Sequence, residues 1–182
     1  MRIITGTARG KRLKQPQGSN IRPTTDRVKE SLFNIIQFEI PGRQVLDLFA
    51  GTGQLGLECL SRGAAGTTFV ESSKEAQKLL RENIEITGFS PEVISRDALS
   101  FLSTCGPEKY DVILLDPPYE TDLLEKSLLS IERFDILRNH GIIVSESPID
   151  WEPPQLSAPY TLGKTYCYGK IKLSTFLKQK EI

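Results

Sequence analysis

The chain has 182 residues, with 23 basic and 23 acidic side chains, three cysteines and one histidine. That length suits one domain with a substantial core, and no apolar run approaches the ~18–20 residues of a membrane span or forms the h-region of a signal peptide. Cys59, Cys105 and Cys167 form no CxxC pair and His140 stands alone, so no metal site is expected and a reduced, cytoplasmic setting is. The zero net charge is unevenly spread. Residues 1–43 hold nine Lys/Arg and three Asp/Glu, a surplus of +6 that the remainder offsets with −6. Such a basic lobe suits an anionic partner held at one end, or more plainly a solvated lysine-rich edge.

In chain order, Arg2 to Thr5 and Lys11 to Lys14 read as two short strands of a hairpin, turned by Gly6 and Gly10. An isolated hairpin is marginal in water, so it must lean on the domain or on a ligand. After a loop with Pro16 and Gly18, Pro23 sets up a helix start at Thr24 or Thr25. Val28, Leu32, Ile35 and Ile36 form the apolar face of that helix, and Pro41-Gly42 ends it.

Strands and helices then alternate. Val45 to Phe49 is a strand, Ala50 to Gly53 its loop, Gln54 to Arg62 a helix, and Thr67 to Glu71 a second strand. Ser72-x-x-Glu75 reads as a capping box opening a helix that stops at Gly88. Glu92 to Ser95, Tyr110 to Leu115 and Gly141 to Glu146 are further strands, separated by helices over about Ala98 to Thr104 and Asp122 to Ile131. A proline-rich loop from Pro148 to Pro159 leads to Tyr160 to Tyr168 and Ile171 to Leu177, an antiparallel pair finishing the sheet. His140 reads as a turn residue, and Trp151 as a packing or rim residue. The pattern predicts an α/β fold, with residues 1–22 as a basic hairpin extension and 23–182 as the main domain.

Two stretches carry chemistry. Gly51-Thr52-Gly53-Gln54-Leu55-Gly56 matches the G-x-G-x-x-G dinucleotide pattern, whose glycines let a ligand approach the backbone. Asp47, four residues before it, argues against NAD. A carboxylate under the loop would repel a pyrophosphate and suits a cationic or ammonium-bearing ligand. The second stretch is Asp116-Pro117-Pro118-Tyr119, where neither proline has an N–H with which to continue the strand. It places a carboxylate and an aromatic ring on a stiff turn at a strand's carboxyl end, where ligands bind in open α/β sheets.

Asp47-Leu48-Phe49-Ala50-Gly51-Thr52-Gly53 resembles motif I of the class I S-adenosylmethionine (SAM) methyltransferases. Asp116-Pro117-Pro118-Tyr119 resembles the motif of those that methylate exocyclic amines of nucleobases. With Arg22 to Val28, Leu57 to Ala64, Tyr168-Gly169 and the Arg-Ile-Ile-x-Gly opening, nearly the whole chain is similar to the bacterial 16S rRNA guanine-N2 methyltransferase family. Gln54 and Cys59 depart from the smaller residues expected there. The resemblance implies a Rossmann-like, mostly parallel seven-stranded sheet with an antiparallel C-terminal strand. It also implies SAM as cofactor, bound by Asp47, Phe49, Ala50, Gly51, Thr52, Gly53, Glu71, Ser72, Asp97, Ala98 and Asp116. Glu71 would accept from the ribose hydroxyls, Asp97 would meet the adenine amino group, and the Ala98 N–H would meet the ring. Glu71 and Asp97 could instead be capping residues, and Asn83 reads as a structural hydrogen bonder.

On that reading Asp116, Pro117, Pro118 and Tyr119 are catalytic. The first two offer acceptors to the amine hydrogens, Pro118 aims the Pro117 carbonyl, and Tyr119 stacks on a base taken out of its helix. Arg2, Arg9, Lys11, Arg12, Lys14, Arg22, Thr24 and Arg27 would hold 16S rRNA or the small ribosomal subunit, although Thr24 and Arg27 could face SAM instead. Lys164, Lys170 and Lys172 could extend the basic surface. A monomer without metal is expected, with no membrane partner. The alternatives are a DNA or RNA adenine-N6 methyltransferase, a non-catalytic RNA-binding assembly factor and an NAD oxidoreductase.

Overall fold

A computed structural model of the protein describes residues 1–16 and 26–179. Thr24, Thr25 and Arg22, with the expected helix start and the boundary at residue 22, lie outside the described residues. Five strands, β1 (Gln44–Asp47), β2 (Gly66–Val70), β3 (Glu92–Ile94), β4 (Tyr110–Leu115) and β5 (Leu137–Pro148), run parallel. β6 (Tyr160–Tyr168) and β7 (Ile171–Lys178) complete a seven-stranded sheet in the order β3-β2-β1-β4-β5-β7-β6. β7 runs opposite to the other strands, pairing antiparallel with β5 and with β6. The fold is thus the mostly parallel α/β sheet with an antiparallel C-terminal strand that the sequence predicts.

Among the described residues five helices cover the sheet: α1 (Asp26–Ile35), α2 (Gln54–Ser61), α3 (Lys74–Thr87), α4 (Ala98–Leu102) and α5 (Leu123–Arg133). Period-two alternation divides each strand between the two layers. Val45, Val112, Leu114 and Val144 pack with α1 and α2, whereas Leu46, Ile113, Leu115 and Ile143 pack with α4 and α5. Strand order reverses between β1 and β4, where the chain goes first to β2 and β3 and later to β5. That switch point opens a crevice at the carboxyl ends of β1 and β4.

Several boundaries and roles differ from expectation. The cap of α3 is Ser73, whose side chain accepts from Ala76 N, because Ser72 is still in the loop out of β2. In α1, Phe33 takes the fully buried place expected of Ile35, which is partly buried. β5 starts at Leu137, and His140 sits within it at φ 62°, where the pairing with β4 shifts register between Tyr110 and Val112. His140 therefore belongs to a bulge, a form that bends a strand and tolerates left-handed backbone. Trp151 packs on the α4–α5 side of the core.

The N-terminal segment makes one antiparallel bridge, Arg2 to Arg12, in place of two full strands. It leans on the domain. Ile3, Ala8 and Leu13 are buried with Leu57 of α2 and Leu80 of α3. Its polar anchor is Glu58, fully buried on α2. The Glu58 carboxylate accepts from Ile4 N at 2.7 Å, Thr5 N at 3.0 Å and Arg62 Nε at 2.9 Å, and pairs with fully buried Lys29 Nζ at 3.2 Å. Lys29 Nζ also donates to the Arg2 carbonyl at 3.2 Å.

A buried ion is costly once its partner is removed, by about 3–5 kcal/mol. Glu58→Ala should therefore destabilise the protein by about that amount in denaturant unfolding, and should speed proteolysis at Arg2 and Arg9. Breaking the exposed Lys126–Asp122 pair should leave the unfolding midpoint unmoved.

Candidate active site

The crevice at the switch point is a cavity of about 690 Å³. That lies within the range of ligand pockets. Its wall includes Asp47, Phe49, Ala50, Gly51, Thr52, Glu71, Ser72, Asp97, Ala98, Asp116, Pro117, Pro118 and Tyr119, so the structure gathers these sequence-predicted residues in one place. Gly53 stands behind the wall. It adopts φ 82°, and a Cβ there would come within 2.4 Å of Leu80 Cδ1, so it is needed for the turn and for packing on α3.

The glycine loop is held from beneath by acids. Asp47, 2% exposed at the end of β1, accepts from Gly56 N at 2.9 Å through Oδ2. Gly56 must be glycine because a Cβ would meet the Phe69 ring at 2.3 Å, so α2 lies close on β2. Burial pushes the Asp47 carboxyl up to about 7. The Gly56 N–H opposes that shift and the Glu71 charge adds to it. Glu71, at the end of β2, accepts from Gly51 N at 2.8 Å and from Ser73 N at 2.7 Å. It fastens the two loops that form the cavity's floor. Each carboxylate oxygen has further acceptor capacity for a ligand hydroxyl. Asp97 caps α4 by accepting from Ser100 N at 2.9 Å, a bond that holds its carboxyl below the usual range.

Asn83 is the structural hydrogen bonder that the sequence suggests, and it joins two regions. Its fully buried amide donates to the Thr52 carbonyl at 2.9 Å and the Lys14 carbonyl at 3.1 Å, while Oδ1 accepts from Lys14 N at 2.7 Å. The basic N-terminal segment is thereby tied to the glycine loop, and its Gln15 and Pro16 reach the cavity wall.

At the acceptor side, Asp116 is half-buried and Pro117 buried where β4 ends. Tyr119 is 39% exposed, and its hydroxyl donates to Glu146 Oε1 at 2.5 Å. Glu146, 5% exposed near the carboxyl end of β5, is a cavity acid that the sequence reading did not assign to the site. Its signal was present: an acid closes β5 as acids close β1 and β2. Arg96 also lines the cavity, beside Asp97.

The basic residues divide. Arg2, Arg9, Arg12 and Arg27 are exposed. Lys11 instead caps the end of α3, donating to the Ile86 and Thr87 carbonyls at 2.9 Å each, and Lys14 pairs with Glu82 at 2.9 Å. Lys172 is 7% exposed and pairs with Glu152 at 3.3 Å, so it adds little to a basic surface that Lys164 and Lys170 do face. No helix among the described residues is long and apolar enough to cross a membrane.

The family model described as conserved hypothetical protein 95 matches residues 1–177. Ribosomal RNA small subunit methyltransferase D of Escherichia coli strain K12 is 34% identical over 182 residues, covering 100% of this chain and 91% of that protein. The protein of the same name from Haemophilus influenzae is 37% identical, covering 82% of this chain and 80% of its own. Among solved structures, the yhhF protein of Escherichia coli superposes with a TM-score of 0.88 at 34% identity, covering 100% of this chain and 99% of that chain. The Thermus thermophilus 16S rRNA N2 G1207 methyltransferase, solved with AdoMet and guanosine, shares the fold at a TM-score of 0.72 and 20% identity, covering 90% of this chain and 45% of that one. The chain belongs to the conserved hypothetical protein 95 family, together with the ribosomal RNA small subunit methyltransferase D proteins, and is an enzyme of the SAM-dependent methyltransferase kind.

Proposed function

We propose that the protein transfers a methyl group from SAM to the exocyclic N2 amine of one guanine in 16S rRNA, acting as a cytoplasmic monomer on a base turned out of its stack. The observation that carries this reading is Asp116-Pro117-Pro118-Tyr119 ending β4 beside Asp47 at the end of β1, in one cavity at the switch point. The residues present suit SAM. The cavity has room for it, Leu48, Phe49, Val70 and Ala98 offer apolar walls for a ring, and buried Asp47 is a carboxyl that a cation would stabilise in its ionised form. Phe49, Ala50, Gly51, Thr52 and Ser72 would line the cofactor, with Glu71 accepting from its ribose and Asp97 and Ala98 meeting its base. Bound there, SAM supplies an electrophilic methyl on a positively charged sulfur.

The remaining chemistry belongs to the chain. A guanine amine is a weak nucleophile because its lone pair is conjugated into the ring. Asp116 Oδ and the Pro117 carbonyl accept hydrogen bonds from its two N–H groups, which favours the pyramidal amine and returns the lone pair to nitrogen, and the proton that the amine sheds on methylation would pass to Asp116 or to solvent. Pro118 fixes the turn that aims that carbonyl. Stacking on Tyr119, worth about 1–3 kcal/mol, helps offset the few kcal/mol for unstacking the base. Holding amine and methyl in line supplies much of the rate. Arg2, Arg9, Arg12 and Arg27 would hold phosphates and so position the RNA without reading its sequence. Arg22 and Thr24, next to that segment in sequence, are proposed to contact the same RNA, and Lys11 and Lys14 to do so only beyond their bonds to α3. Residues 1–22 would thus form the RNA-contacting extension and 23–182 the methyltransferase domain.

Small subunits from cells lacking this methylation should accept label from SAM, and mass spectrometry of the digested rRNA should show N2-methylguanosine. Label in adenine would instead favour the adenine-N6 reading. Asp116→Ala should lower the transfer rate about a hundredfold or more, as loss of one positioned hydrogen-bond partner does elsewhere; undiminished transfer would overturn the mechanism. The Asp47 carboxyl adds a pH dependence. With its value near 7 in the free protein and lowered by a bound cation, binding releases a proton below that pH. SAM affinity should therefore rise with pH up to about 7 and level off above, by up to about tenfold per unit. Asp47→Asn should flatten the calorimetric profile.

A further inference from the structure

We propose that Glu146 reads the acceptor base, accepting the N1–H of guanine and thereby selecting guanine over adenine; this rests on the guanine-N2 reading above. Leu115 of β4 pairs with Ser145 of β5, so Asp116, just past β4, lies beside Glu146, which is still in β5 and paired with Leu173 of β7. Such strands lie about 4.8 Å apart. Both residues line the same cavity. They also share the alternation of Leu114 and Val144, which places them on the sheet face that carries Asp47.

The order of acids across the carboxyl edge assigns Glu146 its side. From β3 to β5 they run Asp97, Glu71, Asp47, Asp116 and Glu146, following the strand order. The first three flank the cofactor half of the crevice. Asp116 comes next, and Glu146 lies beyond it, on the far side of Asp116 from those three.

The chemistry of the base edge fits. Guanine presents N2–H₂ and N1–H side by side, all donors. With the two N2 hydrogens taken by Asp116 and the Pro117 carbonyl, N1–H is the adjacent donor left for a neighbouring carboxylate. Adenine presents a bare lone pair at N1, which a carboxylate repels. Tyr119 prepares the exchange. Its hydroxyl donates to Glu146 Oε1 at 2.5 Å, keeping the buried acid bonded before the base arrives. When the Tyr119 ring turns to stack on the base, N1–H takes the place of the phenol.

The test uses small subunits reconstituted from ligated rRNA carrying guanine or 2-aminopurine at the mapped nucleotide. 2-Aminopurine keeps the N2 amine and lacks N1–H. Wild-type enzyme should favour guanine by about tenfold or more in kcat/KM. In Glu146→Gln the neutral amide oxygen accepts N1–H more weakly than a carboxylate and the NH₂ can turn to donate to the bare N1, so guanine transfer should fall, 2-aminopurine transfer should hold or rise, and the preference should shrink by about tenfold, with SAM affinity unchanged. Because it is a ratio, it does not depend on how much of the variant folds. An equal loss on both substrates, including no transfer on either, means that Glu146 only supports Tyr119 and overturns the inference. A wild-type enzyme that methylates no guanine overturns the underlying reading instead, whatever the variant does.

Discussion

Parallel strands cannot be joined by tight turns, and everything in this active site follows from that constraint. Each strand from β1 to β5 must return through a crossover, so every loop leaving a carboxyl end lies on the same edge of the sheet. The ladder sets Phe69, Asp47, Leu114 and Val144 at one level, and puts Glu71, Asp116 and Glu146 two residues further along their own chains toward the same edge. Far apart in sequence, they become neighbours because the hydrogen-bonded ladder aligns them. The reversal of strand order between β1 and β4 then separates the loops enough to leave a crevice.

Backbone N–H groups in such loops lack ladder partners, and the acids supply them. Asp47 takes Gly56 N–H, and Glu71 takes those of Gly51 and Ser73. The same carboxylates that would face a cationic cofactor thus hold the loop that cradles it. Burial has an electrostatic consequence, since Asp47 out of water holds its proton to about 7, with the Glu71 charge a smaller contribution. Asn83 extends the linkage by bonding Thr52 of the loop and Lys14 of the N-terminal segment. Glu58 and Lys29 anchor the start of that segment. A basic arm that would otherwise be a marginal hairpin is therefore built into the domain, with Arg2, Arg9 and Arg12 left facing outward.

Much of this was legible in the sequence. Alternating apolar runs and helical faces identified the α/β class because each element's period reflects which side it buries. Prolines and glycines marked the loops because their backbone limits act locally. Asp47, Glu71 and Asp116 could be singled out because each directly follows or ends an apolar strand. Helix ends were less secure. Ser72 and Ser73 are both competent caps, and only the path of the chain out of β2 decides between them. Lys29 sits on the apolar face of α1 at a spacing that a sequence reader assigns to solvent, because its partner Glu58 lies on another helix.

The amino-acid sequence by itself determined the kinds of element, the class of fold and the residues at the strand ends, since local geometry and solvent preference suffice for these. Tertiary structure decided the partnerships. It turned Lys11 and Lys14 onto α3, buried Lys29 against Glu58, and set Gly53 behind the cavity wall. It also brought Glu146 beside Asp116 and under the Tyr119 hydroxyl. These contacts span tens of residues, and their energies depend on burial and distance, quantities that exist only once the chain has packed.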